Sequence, residues 1–230
     1  MRSEKYDAII LAAGKGSRFR SSKPKQYSKI NSKNLIDISL EKIFDTKKIN
    51  YVFIVVDKNS RYKVPPNYSN IFIVKGGSTR TRSVYNALKY ASKSDTLSKN
   101  MIIHDAARPC INTKEINKLL VQFKKFQIGA SLGYPLTNAL KKINNSSIVI
   151  NNIKRDNLYM SFTPQVFNFS KLFDAYSDIM KKKVQVDDEI EAMSLSNYKV
   201  KLIKASVGNI KLTYQDDLEV IKALMKRKCE

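Results

Sequence analysis

Short apolar runs rich in β-branched residues recur at residues 6–11, 51–57, 71–74, 101–104, 128–134 and 200–205, each with the length of a buried strand. Between most of them the apolar spacing turns helical: 35–46 (Leu35, Ile38, Ile43, Phe44), 79–92 (Val84, Ala87, Leu88, Ala91), 113–126 (Ile116, Leu119, Leu120, Phe123) and 215–227 (Leu218, Val220, Ile221, Leu224). Acidic or polar residues stand at the starts of two of these segments, Thr113 and Gln215-Asp216-Asp217, where the helix dipole favours them. The alternation predicts an α/β fold, a mostly parallel twisted sheet covered by helices.

One stretch breaks the rhythm. Asn138-Ala139-Leu140-Lys141-Lys142-Ile143, a polar Asn144-Asn145-Ser146-Ser147 turn, and Ile148 to Lys154 read as a β-hairpin. Two strands cannot bury both faces by themselves, so the hairpin must lie on its own domain or on a partner subunit, and the partner is the favoured expectation. The lysines at 181–183 read as an exposed helix end.

Seven glycines serve the whole chain, and four of them fall in two windows directly after strand-like runs: Gly14 and Gly16, then Gly76 and Gly77. Each window is followed by a cation, Arg18 and Arg80. Open α/β sheets bind ligands beyond the carboxyl ends of their strands, so both loops are candidates for the site. The first, Leu11-Ala12-Ala13-Gly14-Lys15-Gly16-Ser17-Arg18 followed by Lys23-Pro24-Lys25-Gln26-Tyr27, has the small residues and cations of a phosphate cradle. It matches neither the P-loop nor the dinucleotide fingerprint. A tight turn with surface cations is the alternative reading.

Composition adds a formal charge of +22, from 42 Lys and Arg against 20 Asp and Glu, which attracts polyanions and phosphorylated small molecules alike. The lysines are spread from Lys5 to Lys228, as on a solvated surface, and the absence of tryptophan and of an aromatic RNA-binding signature weakens a nucleic-acid reading. No apolar run reaches the ~18–20 residues of a membrane span, and the opening residues do not read as a signal peptide, so a cytoplasmic protein is expected. Cys110 and Cys229 form neither a disulfide framework nor a zinc motif.

A third candidate is His104-Asp105-Ala106-Ala107-Arg108-Pro109. A carboxylate at a strand end suits a hydrated Mg²⁺ or a substrate hydroxyl; a helix cap paired with Arg108 is the alternative for Asp105. His104, the only histidine, continues a buried strand and is expected to be structural. Arg155, Thr163-Pro164-Gln165, Asp187-Asp188-Glu189 and Gly208 to Thr213 are weak signals one by one.

In order, these blocks resemble the 2-C-methyl-D-erythritol 4-phosphate cytidylyltransferase family: L-A-A-G-x-G-S-R, P-K-Q-Y, G-G-x-x-R-x-x-S-V, H-D-A-A-R-P, T-P-Q, D-D-E and G-N-I-K-L-T, from about residue 6 to 220. The resemblance implies one nucleotide-diphospho-sugar transferase-like, Rossmann-like domain over residues 1–230, using CTP with Mg²⁺, and a β arm at about 135–157 that makes a homodimer. It implies that Ala12, Ala13, Gly14, Gly16, Gly77, Ser78 and Ser83 surround the nucleotide, while Arg18 and Lys25 hold the triphosphate. Asp105, Arg108 and Thr163 would face the polyol phosphate, with Asp105 also toward the metal. Lys211 and, from the partner's arm, the residue equivalent to Arg155 would clamp the substrate phosphate. The chain departs from the family in the arm, where Asn138-Ala139 replaces an acid and a threonine. That leaves open a related acceptor such as ribitol 5-phosphate, and a nucleic-acid-binding protein is the remote alternative.

Overall fold

The computed structural model describes residues 4–226 apart from 15, 20, 22, 95 and 96, and describes Ser17 by its backbone alone. Strand β1 (Tyr6–Ala12) is followed by two short strands, β2 (Lys29–Ile30) and β3 (Lys33–Asn34), then α1 (Leu35–Phe44) and β4 (Ile49–Val56). The alternation continues with β5 (Ile71–Lys75), α2 (Arg80–Ala91), β6 (Asn100–Asp105), α3 (Thr113–Phe126) and β7 (Gly129–Pro135). The hairpin is β8 (Leu140–Ile143) with β9 (Val149–Ile153), and the chain ends in β10 (Tyr159–Asn168), α4 (Phe169–Lys182), α5 (Glu189–Leu195), β11 (Lys201–Lys204) and α6 (Asp216–Lys226). Each predicted strand run and helical segment has its counterpart here, while β2, β3, β10, α5 and all but the end of α4 fall outside the predicted elements. Lys181 and Lys182 occupy the last turn of α4, favourable for its dipole.

Seven strands form one sheet in the order β11-β7-β10-β6-β1-β4-β5. β1 runs parallel to β4 and β6, β4 to β5, and β7 to β11; β10 is antiparallel to both of its neighbours. Along β1 successive residues feed opposite faces: Ala8 and Ile10 join α1 and α3 through Leu40 and Phe123, whereas Ile9 joins α2 and α4 through Leu88 and Tyr176. A strand buried on both faces reads as a continuous apolar run, which is why β1 was legible from pattern alone. A third cluster, with Phe19, Leu35, Cys110, Leu212 and Ile221, fastens α6 and the segment before it to one end of the sheet. Cys110 is buried there, and Cys229 lies outside the described residues.

From β1 the chain steps out to β4 and β5, then returns to place β6 on the other side of β1. The connections therefore diverge between β1 and β6, which opens a crevice at their carboxyl ends. The hairpin leaves the sheet from the β7 and β10 pair, and residues 141–161 are exposed throughout.

Candidate active site

A cleft of about 710 Å³ opens at that divergence. It is lined by Leu11 to Gly14, Gly16, Arg18, Lys25 and Gln26 after β1, by Asp57 and Lys58 after β4, and by Gly76 to Arg80 after β5. Ser83, Asp105, Ala107, Lys211 and Thr213 complete it. Five cations (Arg18, Lys25, Lys58, Arg80 and Lys211) face two carboxylates, so the chamber is built for an anion.

The first glycine loop is fixed by backbone geometry and one buried amide. Gly16 sits at φ +67°, a left-handed conformation that glycine adopts without penalty, and the chain turns there beside the aliphatic part of Lys25. Gln26, 3% exposed, donates from Nε2 to the Ala12 carbonyl at 2.6 Å, which ties the second half of the motif to the end of β1. Lys15 lies outside the described residues.

In the second loop, a Cβ on Gly76 would stand 2.6 Å from the Ala13 Cβ, so only glycine lets the two loops close on one another. Ser83 then bridges the turn: its hydroxyl accepts from the Gly77 N–H at 3.0 Å and donates to the Thr79 carbonyl at 2.8 Å. Thr79 caps α2 by accepting from the Arg82 N–H.

Asp105 is the electrostatic centre. Lys211 lies 2.8 Å from its carboxylate, Arg108 3.4 Å and Arg80 3.9 Å. Burial alone would raise its pKa, but Lys211, Arg80 and Arg108 together hold it well below the usual carboxylate range. No helix starts at Asp105, so the helix-cap alternative is excluded, although its pairing with Arg108 is real. Lys25 shows the converse. Burial, joined by repulsion from Lys211, Arg18 and Arg108 against the opposing pull of Asp105, lowers its pKa to about 8.

Two predicted residues stand behind the cleft. Thr163 is 3% exposed, and its hydroxyl accepts from the Asp105 N–H at 2.9 Å while also facing His104 Nδ1 at 3.2 Å. Arg108 pairs with Asp105 and donates to the Asn209 carbonyl at 2.8 Å, and the Asn209 amide donates to the Thr163 carbonyl at 2.8 Å. Within this chain, both therefore hold Asp105 and the Lys211 segment in register. His104 is fully buried, which lowers its pKa to about 4 against the opposing effect of Asp105 and leaves it neutral at pH 7.

Arg155 is not brought to this cleft. It is exposed at the base of the hairpin and donates to the Thr137 carbonyl at 2.6 Å. The remaining predicted residues, Ala12, Ala13, Gly14, Gly16, Arg18, Lys25, Gly77, Ser78, Ser83, Asp105 and Lys211, all line one chamber. Arg80, singled out as the cation after the second glycine pair, is in the lining as expected, though no particular contact was given to it. Sequence reasoning gave no individual role to Gln26, Asp57 or Asn209, which carry no comparable signal.

A mixed sheet with its ligand crevice at the switch point, two glycine loops and a ring of fixed cations defines an α/β nucleotidyltransferase. The model of the family described as IspD, 2-C-methyl-D-erythritol 4-phosphate cytidylyltransferase, matches residues 7–227, and the chain belongs to that family. A 2-C-methyl-D-erythritol 4-phosphate cytidylyltransferase of Petrotoga mobilis is 33% identical over 225 residues, covering 95% of this chain and 97% of that protein. The bifunctional enzyme IspD/IspF of Pelagibacter ubique is 36% identical over 92% of this chain, which spans 55% of that longer protein. The crystal structure of the Francisella tularensis cytidylyltransferase is similar with a TM-score of 0.82 and 31% identity, covering 96% of this chain and 100% of that one.

Proposed function

We propose that the protein transfers the cytidylyl group of CTP to 2-C-methyl-D-erythritol 4-phosphate, giving 4-diphosphocytidyl-2-C-methyl-D-erythritol and pyrophosphate. The observation that carries this reading is the gathering of Arg18, Lys25 and Lys211 around one chamber with Asp105 and both glycine loops. A phosphate oxygen of the acceptor bonds to the α-phosphorus of CTP as the bond to the bridging oxygen of the β-phosphate breaks, and pyrophosphate leaves with the electron pair. The acceptor phosphate has a second pKa near 6 and reaches the site already ionised, so no general base is required. A neutral, fully buried His104 agrees with that chemistry. The work left to the protein is to hold two mutually repelling anions in line and to stabilise charge on the leaving group, which fixed cations and backbone N–H groups do well.

Asp105 and the phosphate oxygens of CTP make the donor set that magnesium prefers, one carboxylate plus phosphates and water. Among the described residues no cluster of three acidic or histidine ligands exists, so the metal would arrive with the nucleotide and not on a prebuilt protein site. Bound there, Mg²⁺ would neutralise part of the triphosphate charge. Lys211 and Arg108 both sit on Oδ2 of Asp105, so Oδ1, 3.9 Å from Arg80, would be the oxygen to face it.

The same reading makes the hairpin a dimerisation arm. Ile143, Ile148, Val149, Ile150 and Ile153 are 44% to 61% exposed, an apolar patch that a second copy would cover, and Arg155 at its base would serve the neighbouring cleft. We take its setting to be cytoplasmic; among the described residues no helix is long and apolar enough to cross a membrane.

Pyrophosphate release tests the proposal. Turnover is expected with CTP and methylerythritol phosphate, and little with ATP, GTP or UTP. Preference for ribitol 5-phosphate would change the acceptor and keep the CTP chemistry, and no CTP turnover with either acceptor would refute the reading.

A further inference from the structure

Arg80 opens α2 at its positive end, where a cation is disfavoured, so the helix itself gives no reason for an arginine there. Its guanidinium is gripped from behind: one terminal nitrogen lies 2.8 Å from Glu189 Oε1 and the other 3.0 Å from Oε2, a parallel two-bond arrangement. Glu189 is fully buried, and Tyr176, also fully buried, donates to the same Oε1 at 3.0 Å. The segment before Glu189 is bolted to α2 as well, since Thr81 Oγ1 donates to the Val186 carbonyl and accepts from the Val186 N–H. Arg80 keeps 28% of its side chain exposed and lines the cleft, 3.9 Å from Asp105.

Burying a carboxylate with an arginine adds little net stability compared with an apolar pair, because desolvation offsets the attraction. What the pair supplies is direction. Arg has five N–H donors, and Glu189 uses two of them, leaving the others for the chamber. A cation beside Lys25, Lys211 and Arg108 would otherwise be pushed outward; Glu189 balances its charge from the side opposite the ligand.

We propose that Arg80 contacts a phosphate oxygen of a bound reactant and that Glu189 is the positioning residue that aims it. The inference rests on the cytidylyltransferase reading only for which phosphate is met, that of the nucleotide or that of the acceptor.

The test compares Arg80→Lys, Glu189→Gln and the double variant by three readouts: Kd for CTP and for pyrophosphate by calorimetry, KM for the acceptor, and kcat. Removing a fixed contact of this kind is expected to lower kcat/KM by roughly 10²-fold for Arg80→Lys and about tenfold for Glu189→Gln. The double variant should be no worse than Arg80→Lys alone, because the two residues act as one unit. A raised Kd for CTP and pyrophosphate assigns the contact to the nucleotide, and a raised acceptor KM with unchanged Kd assigns it to the acceptor. Both single variants within about threefold of wild type in every readout would overturn the proposal, whatever the melting temperature does. Multiplying losses in the double variant would overturn the positioning role. Should Glu189→Gln fail to fold, Glu189→Asp retains the charge with a shortened reach and answers the same question. If the wild type turns over no CTP, the functional reading fails while pyrophosphate binding still decides the role of Arg80.

Discussion

Lys211, on the segment leading to α6, closes an ion pair of 2.8 Å with Asp105 at the end of β6. On the proposed function an arriving phosphate would compete with Asp105 for this cation, and the pair would hold Lys211 in place until then. Lys211→Ala should therefore lower kcat/KM by roughly 10²–10³-fold, as loss of a preorganised contact does. Asp105 is buried and keeps Arg108 and Arg80 when Lys211 is lost, so the melting temperature should fall by a few degrees without loss of folding. Steady-state kinetics with thermal denaturation check this, and activity within a few-fold of wild type would remove Lys211 from the reaction.

Lys25 titrates where no free lysine does. In the folded protein its pKa is about 8 through burial and its cationic neighbours, below the ordinary 10.5. The depressed value means the fold disfavours the charged form, so Lys25 costs stability below about pH 8, and the cost is relieved as pH rises toward the unfolded value. A bound triphosphate favours the charged form, so CTP binding near pH 8.5 should take up part of a proton. Calorimetry in buffers of different ionisation enthalpy would show it. Lys25→Arg, which stays charged throughout, should abolish the buffer dependence, and identical enthalpies for wild type in all buffers would contradict the assignment.

The close meeting of the glycine loops predicts a binding defect separable from the cations. Gly76→Ala places a methyl 2.6 Å from Ala13 Cβ and 3.0 Å from Ser83 Oγ, so the two loops must part. The KM for CTP should rise by about tenfold, given ~1–3 kcal/mol for an overpacked contact, with less change in the KM for the acceptor. An unchanged KM for CTP would show that the nucleotide does not lie between the loops.

The exposed isoleucines of the hairpin make an association test. Ile148→Lys with Ile150→Lys should shift a dimer to monomer in analytical ultracentrifugation, since both side chains are more than half exposed in one chain and have no internal role to lose. If Arg155 serves the neighbouring site, inactive Arg155→Ala mixed with inactive Lys25→Ala should regain activity on subunit exchange. No recovery in exchanged mixtures would confine each site to one chain.

The predictable parts are those where one chain segment suffices. β1 and β4 read as buried runs because helices cover both faces, and the glycine loops were legible because so few glycines are spent elsewhere. β10 was hidden by its own variety: it begins exposed at Tyr159, carries Pro164 within it, and shifts register between Phe162 and Gln165. α4 is different, for Leu172, Ala175, Tyr176 and Ile179 repeat at helical spacing, and the pattern was available without being singled out. The pairing of Arg80 with Glu189 was out of reach, because residues far apart in sequence meet only once α2 and α5 are folded. Thr163, a substrate contact only by family resemblance, shows its support of the Asp105 backbone only once β10 and β6 are side by side.

β10 has a consequence beyond its place in the sheet. Its first residues, Tyr159 to Ser161, pair with Pro135 to Gly133 at the root of the hairpin, and a few positions later the same strand presents Thr163 to Asp105 and Gln165 to β6. One strand runs through both ends, and its register shifts between Phe162 and Gln165, where they meet. Thr163 lies within that shift, so the stretch that gives under a bend of the hairpin is the one that supports the Asp105 backbone.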